Sequence, residues 1–164
     1  MPGKWVYWIV ERLLDVVTDV YVCPSRYMMD YGRRTRVINP DKCRVIYNSL
    51  PLPIVEPINQ LANQHKEELQ ILDDVILLFC GRLERQKGVD VLLRAIAKIE
   101  TASRFKLLIC GDGEDLAELK ALADDLNVND KVLWLGWRND LEPFYALADI
   151  YVMPSRWESF GLVF

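Results

Sequence analysis

The amino-acid sequence predicts an α/β fold built on a parallel sheet, and three observations support this prediction. The run 75–80 (VILLFC) is apolar at every position, as a strand buried on both faces of a parallel sheet would be. The apolar residues after it have the spacing of one helix face: Val89, Leu92, Leu93, Ile96 and Ile99. The order of strand, loop and helix then repeats along the chain, which is typical of parallel sheets.

The repeats occupy the second part of the chain. Residues 105–110 predict a strand, and apolar residues at helical spacing follow it: Leu116, Leu119, Leu122 and Leu126. A strand at 132–135, a short helix around 141–147 and a strand at 150–153 continue the pattern. The alternation therefore extends almost to the last residue.

Residues 51–60 are rich in proline and lack periodicity, so we interpret them as a connector. Upstream, the pattern predicts four short elements: a helix through 11–17, a strand at 20–23, a helix from Ser25 and a strand at 44–47. A segment of about fifty residues cannot close a core around parallel strands. We therefore expect residues 1–50 to be the end of another domain. We expect the strands and helices that would complete its core to be missing or to lie on another chain.

An internal repeat supports two similar domains. The octapeptide DVYVCPSR at 19–26 returns as DIYVMPSR at 149–156, with six of eight positions identical. In each copy the serine after the strand can cap a following helix and leave its first amides facing a ligand. The alternative is a coincidence between two buried strands with ordinary caps.

Composition excludes several classes of function. The chain has 164 residues, a formal net charge of -4 and 27% charged residues, so it has no basic field with which to bind nucleic acid. Five Trp, seven Tyr and five Phe residues need burial, which excludes a disordered chain. The composition therefore indicates a globular protein or part of one.

Metal, redox and histidine-based chemistry find little support. The four cysteines form no C-x-x-C pair and are interpreted as buried, reduced thiols of a cytosolic protein. The single histidine, His65, lies in a polar stretch without the framework of a catalytic triad. No D-x-D, H-x-H or H-E-x-x-H motif occurs, so no metal site is predicted.

The apolar start of the chain does not predict a membrane span. The run 5–10 is interrupted by Glu11 and Arg12, and it lacks the cleavage site of a signal peptide. Four apolar residues at helical spacing leave peripheral contact with a membrane surface as the alternative to core packing: Trp5, Trp8, Ile9 and Leu13.

Three loops carry residues that could bind a ligand or take part in catalysis. The loop 81–88 joins a strand to a helix, where Arg82 and Lys87 could hold a diphosphate; the alternative is a solvated surface loop. The turn at 111–114 (GDGE) also follows a strand, although its glycines can be purely structural. In the third loop, Glu158 can accept hydrogen bonds from sugar hydroxyls or serve only as an acid at a helix start.

These motifs, taken in order, resemble glycosyltransferase family 4. The matching segments are GRL at 81–83 with KG at 87–88, LICGDG at 108–113, LGW at 135–137, AD at 148–149 through PS at 154–155, and ESFG at 158–161. Upstream, 19–25 and VIYN at 45–48 look like the end of that family's N-terminal domain and its crossing into the C-terminal domain.

The resemblance implies a GT-B architecture of two Rossmann-like domains, a nucleotide-diphosphate sugar as donor substrate, transfer with retention of anomeric configuration, and no metal or other cofactor. It implies that Arg82 and Lys87 grip the donor diphosphate and that Glu158 holds hydroxyls of the donor sugar. The other residues implied to line the donor site are Gly81, Gly111, Gly136, Trp137, Phe160 and Gly161, with the turn at 136–137 against the nucleobase.

Departures from the family pattern lead to the expectation of a piece lacking both ends. The family's second glutamate, which holds the ribose, would fall beyond Phe164, and the acceptor site would precede Met1. Asn48 is followed by Ser49, where the family usually has glycine. We expect 1–50 to be the end of the acceptor-side domain, 51–60 a connector and 61–164 an incomplete nucleotide-sugar-binding domain with a Rossmann-like parallel sheet.

Two functions remain from the sequence. The first is the donor side of a retaining hexosyltransferase of cell-envelope or polysaccharide biosynthesis, inactive by itself; the second is a non-catalytic nucleotide-sugar-binding subunit or relic. The expected partners are a nucleotide sugar, an unidentified acceptor, and a complementing chain or the missing segments. The expected location is the cytoplasm, with at most peripheral contact at the inner membrane face.

Overall fold

The computed structural model describes residues 4–35, 38–49, 55–100 and 104–158. They form two compact units, of which one contains the described residues 4–49 and the other the described residues 55–158. In the part of the chain that is described, no helix is both long and apolar enough to cross a bilayer.

The first unit contains two helices and a pair of short parallel strands. Its elements are α1 (Lys4–Val17), β1 (Tyr21–Cys23), α2 (Arg26–Thr35), a 3₁₀ turn (Pro40–Lys42) and β2 (Cys43–Val45). Tyr21 lies opposite Cys43, and Cys23 lies opposite Val45. The Ser25 hydroxyl accepts a hydrogen bond of 3.2 Å from the backbone amide of Met28, so Ser25 caps α2 as the sequence predicts.

The second unit is a parallel sheet with helices on both faces, which confirms the predicted fold class. Its elements are α3 (Val55–Glu68), β3 (Val75–Cys80), α4 (Val89–Ile96), β4 (Phe105–Cys110), α5 (Leu116–Asp125), β5 (Val132–Gly136), α6 (Glu142–Leu147) and β6 (Ile150–Tyr151). The strand order across the sheet is β5-β4-β3-β6.

The core of the second unit forms two layers, one on each face of the sheet. Phe79 and Ile109 pack with residues of α4 and α5, whereas Leu78 and Leu108 pack with residues of α3 and α6. All four side chains are 0% exposed. Because burying one large apolar side chain contributes about 1.5–3 kcal/mol, these two strands anchor the sheet.

Several element boundaries differ from the sequence predictions. Helix α1 begins at Lys4, before the predicted range 11–17, and α3 begins at Val55, inside the range 51–60 interpreted as a connector. Strand β6 contains two residues where four were predicted. Element ends depend on hydrogen bonding as well as hydropathy, so patterns locate them less well than they locate interiors.

The assignment of Ile99 to the apolar face of the fourth helix is wrong. Helix α4 ends at Ile96, and Ile99 is 40% exposed. The backbone amide of Lys98 donates to the carbonyl of Ala95, and that of Ile99 donates to Ile96, at 3.0 and 3.2 Å. These bonds between residues three apart tighten the end of the helix and rotate Ile99 away from the buried face.

Candidate functional site

The candidate residues lie at the carboxyl edge of the parallel sheet in the second unit. Four loops meet there: 81–88 after β3, 111–115 after β4, 137–141 after β5 and 152–158 after β6. In open parallel α/β sheets this edge is where ligands bind, because loops and helix starts from several strands converge there.

Gly111 lets two of these loops approach each other closely. The amide of Gly81 donates to the carbonyl of Cys110 at 3.0 Å, and the amide of Gly111 donates to Gly136 at 2.7 Å. A β-carbon on Gly111 would fall on the carbonyl oxygen of Gly81. Three predicted glycines, Gly81, Gly111 and Gly136, therefore lie together at one end of the sheet.

Lys87 and Glu158, 71 residues apart in sequence, form an ion pair. The Lys87 ammonium donates to Glu158 Oε1 at 2.6 Å, and the Ser155 hydroxyl donates to the same oxygen at 2.7 Å. The two charged side chains are only 12% and 20% exposed. A short ion pair that is mostly shielded from water is stronger than an ordinary surface pair and fixes the positions of both charged groups.

The surroundings of Glu158 keep its carboxylate charged. Burial raises its pKa, but hydrogen bonds from Lys87 and Ser155, together with the positive charges of Lys87 and Arg82, lower it further than burial raises it. The net effect places the pKa of Glu158 below its ordinary value. Glu158 is thus an ionised hydrogen-bond acceptor at neutral pH.

Arg82 is near this pair but is not joined to it by a hydrogen bond. Its guanidinium lies 3.1 Å from the carboxylate of Glu84, and its side chain is 70% exposed. A surface pair of this kind contributes little stability, so the guanidinium can exchange Glu84 for an anion at small cost.

Trp137 presents a flat aromatic surface at the same edge. It follows Gly136, whose φ of +69° belongs to the left-handed region, and it is 70% exposed. Its indole N–H donates to the side-chain oxygen of Asn139 at 3.2 Å. This bond orients the ring while leaving an exposed face on which another ring can stack.

Of the remaining residues discussed in the sequence analysis, two predicted site residues lie outside the described part of the chain, and His65 makes contacts that do not include the Lys87–Glu158 pair. Phe160 and Gly161 lie beyond residue 158 and outside the described residues. His65 stacks on Phe144 at a centroid distance of 4.8 Å and contacts Glu68 at 3.2 Å. The described residues contain no group of three or more His, Cys, Asp or Glu side chains placed to hold a metal ion.

Two relationships escaped sequence reasoning. Cys80 and Cys110 are far apart in sequence, yet they lie opposite each other on β3 and β4, and both are buried. Arg156 forms a two-pronged ion pair with Asp90 beside the candidate site. A signal for Arg156 existed, since arginine ends both copies of the internal repeat, at 26 and 156.

A family model and curated relatives match this chain. The model described as glycosyl transferases group 1 matches residues 62–164. An uncharacterized 41.2 kDa protein of the cps region of Klebsiella pneumoniae is 33% identical over 98% of this chain and 44% of its own length. The N-acetylgalactosamine-N,N'-diacetylbacillosaminyl-diphospho-undecaprenol 4-alpha-N-acetylgalactosaminyltransferase of Campylobacter jejuni is 36% identical over 77% of this chain and 32% of its own length.

Solved structures share the fold at lower identity. HepE of Anabaena, crystallised with UDP and glucose, superposes with a TM-score of 0.80 at 17% identity, covering 93% of this chain and 42% of HepE. WaaG, a glycosyltransferase involved in lipopolysaccharide biosynthesis, superposes with a TM-score of 0.68 at 20% identity, covering 84% of this chain and 38% of WaaG. The chain thus spans less than half the length of each protein named here.

Proposed function

The chain belongs to the glycosyl transferases group 1 family, and we propose that it carries the donor side of a retaining enzyme that moves a hexosyl group from a nucleotide-diphosphate sugar to an acceptor. The observation that carries the proposal is the Lys87–Glu158 ion pair at the carboxyl edge of the sheet. It combines a cation suited to phosphate with a carboxylate suited to sugar hydroxyls.

Lys87 and Arg82 are proposed to bind the donor diphosphate. An ammonium group has three N–H donors, so Lys87 can keep its bond to Glu158 while donating to a phosphate oxygen. Arg82 is exposed enough to leave Glu84 and offer its planar fork to the second phosphate. As the bond to the sugar breaks, negative charge grows on the departing diphosphate, and both cations stabilise it.

The remaining contacts orient the sugar and the nucleoside. Glu158, ionised at neutral pH, accepts hydrogen bonds from hydroxyls of the donor sugar. The exposed face of Trp137 and the turn at Gly136 receive the nucleobase. The backbone at Phe160 and Gly161 is proposed to complete the sugar site, and Gly81 and Gly111 are proposed to line the diphosphate site.

Retention of the anomeric configuration is proposed from the resemblance to glycosyltransferase family 4. The proposal includes no metal, because Arg82 and Lys87 supply the positive charge that a metal would otherwise bring to the diphosphate. The acceptor is proposed to be an intermediate of cell-envelope or polysaccharide biosynthesis, as the names of several relatives suggest. Cytoplasmic location with peripheral membrane contact is part of the same proposal.

The 164 residues alone are proposed to bind a donor without transferring its sugar. Transfer requires an acceptor held against the donor, and the residues proposed to bind the donor lie within the segment that the family model matches. Incubation with nucleotide sugars and lipid or saccharide acceptors should therefore give no glycosylated product.

Calorimetry with UDP-, GDP- and ADP-glucose tests the donor site. We expect one nucleotide sugar to bind, and Lys87→Ala to weaken its binding about tenfold or more, since a charged hydrogen bond contributes about 1.5–3 kcal/mol. Arg85→Ala is the matched control, because this exposed arginine lies in the same loop but outside the ion pair. Equal affinities for wild type and Lys87→Ala would contradict the proposal.

A further inference from the structure

Arg156 joins the loop after β6 to the loop after β3. Its Nη1 and Nη2 donate to Asp90 Oδ1 and Oδ2 at 2.9 and 2.7 Å, so that the two planar groups meet as a fork. Its Nη1 also donates to the carbonyl of Arg85 at 2.7 Å. Its backbone amide donates to the carbonyl of Gln86 at 2.8 Å.

Neighbouring residues extend this junction. The side-chain amide of Gln86 donates to the carbonyl of Trp157 at 2.8 Å. Gly88 has a φ of +69°, and a β-carbon there would fall on the carbonyl oxygen of Pro154. The segments 85–90 and 154–158 therefore run against each other, with backbone contacts on both sides of Arg156.

The junction spans the two residues of the candidate site. Lys87 lies between Gln86 and Gly88 on one segment, and Glu158 follows Trp157 on the other. Whatever fixes the separation of these segments also fixes the 2.6 Å contact between Lys87 Nζ and Glu158 Oε1. Displacing a positioned group by about 1 Å can cost a hundredfold in a catalysed reaction.

A purely stabilising role does not account for the arrangement. The Arg156 and Asp90 side chains are 31% and 37% exposed, so water and salt weaken the attraction between their charges. The contact fixes the orientation of the guanidinium, because both of its arms donate to the Asp90 carboxylate and one arm also donates to the backbone carbonyl of Arg85.

We propose that Arg156 and Asp90 are positioning residues that hold Lys87 and Glu158 in register for the donor. They act through the two segments and do not touch the donor themselves. This inference rests on the proposed function for its consequence in donor binding, but the geometric claim can be measured without any nucleotide sugar.

The charge state of Glu158 provides that measurement. Among the described residues, the charged and polar groups that act most strongly on its carboxylate are Lys87, Ser155 and Arg82, and Tyr151 also faces it. Removing the positive charge of Arg156 would by itself raise the pKa of Glu158, whereas removing the negative charge of Asp90 would by itself lower it. A raised pKa of Glu158 in Asp90→Asn must therefore be transmitted through the position of Lys87 or Ser155.

The experiment compares the full chain carrying Arg156→Ala, Arg156→Lys or Asp90→Asn with wild type. The pKa of Glu158 is followed by ¹³C NMR of its carboxyl carbon, assigned with Glu158→Gln, and binding of inorganic pyrophosphate is followed by calorimetry. Arg94→Ala is the matched control, because Arg94 is an exposed arginine one turn after Asp90 on α4.

We expect Arg156→Ala and Asp90→Asn to raise the pKa of Glu158 toward its ordinary value and to weaken pyrophosphate binding about tenfold. Arg156→Lys should lie between them and wild type because it keeps the charge but loses the fork. If Arg156→Ala does not fold, the pKa of Glu158 in Asp90→Asn tests the proposal, since asparagine is nearly isosteric with aspartate. A pKa of Glu158 in Asp90→Asn that equals or falls below that of wild type would overturn the proposal. Failure of wild type to bind pyrophosphate would instead count against the proposed function and leave the NMR comparison decisive for positioning.

Discussion

A carboxylate that is only 20% exposed keeps its charge in this protein because an ammonium group and a hydroxyl both donate to one of its oxygens. Their places after strands made Lys87 and Glu158 candidate residues, and the resemblance to glycosyltransferase family 4 implied their roles. The sequence could not predict that they touch, because nothing in a spacing of 71 residues specifies a 2.6 Å contact. Asp90 and Arg156 were missed for the same reason.

The lowered pKa of Glu158 predicts how its contribution to stability depends on pH. A carboxyl group whose pKa is lower in the folded state stabilises the protein above its unfolded pKa of about 4.3, and loses that effect as pH falls through the folded value. The free energy of unfolding of wild type should therefore exceed that of Glu158→Gln at pH 7 and 5, and the gap should shrink below about pH 4.

Urea denaturation of the two proteins at pH 7, 5, 4 and 3 measures this gap. Subtracting the variant cancels most of the contribution of other carboxyl groups, Asp90 among them, whose pKa is lowered by its bond to Arg156. A gap that widened as the pH fell would mean that Glu158 is not held by the cation in the folded protein.

At the scale of elements, the strands buried on both faces were the most predictable. The bounds of β3 and β4 match the predicted ranges, since each is apolar or nearly so throughout and both lie inside the sheet. Among the described strands, β6 lies at the sheet edge and pairs with β3 alone, and its end was misplaced. Hydropathy therefore predicts the bounds of strands inside a sheet well and the bounds of strands at its edge poorly.

The turns at the carboxyl edge predict different tolerances for alanine. Gly111→Ala should lower the free energy of unfolding by more than 2 kcal/mol, roughly the strain expected when a β-carbon meets a backbone carbonyl. Gly136→Ala should cost about 1–2 kcal/mol, because a β-carbon there meets nothing within 4 Å and only the φ of +69° is unfavourable.

Urea midpoints of the two alanine variants, compared with wild type, check this order. The pair is well matched, because Gly111 follows β4, Gly136 ends the neighbouring strand β5, and the amide of Gly111 donates to the carbonyl of Gly136. Equal losses would show that the loop after β4 can move away from Gly81, which would contradict the close approach of the two loops.

At the scale of the whole molecule, the cysteines report on the integrity of both units. Cys23 and Cys43 are 7% and 6% exposed in the first unit, and Cys80 and Cys110 are 1% and 2% exposed in the second. The pKa of Cys110 is raised by its hydrogen bond with Cys80 and by burial. Native thiols should therefore react slowly with Ellman's reagent at pH 8.

All four thiols should react at once in guanidinium chloride. Cys23→Ser and Cys80→Ser separate the contributions of the two units. Rapid native reaction that disappears in Cys23→Ser would show that the first unit opens locally, whereas rapid reaction of Cys80 would contradict the two-layered core of the second unit.

The central claim, that a nucleotide-sugar donor binds at the carboxyl edge of the second unit's sheet, is tested most directly by NMR. Titrating the ¹⁵N-labelled chain with UDP-, GDP- and ADP-glucose in turn reports where a donor contacts the backbone. We predict that one of them shifts amides at 81–88, 111–114 and 136–138, and that Lys87→Ala needs about tenfold more ligand or higher for the same shifts. Shifts confined to α3 or α5, or none with any of the three, would contradict the account.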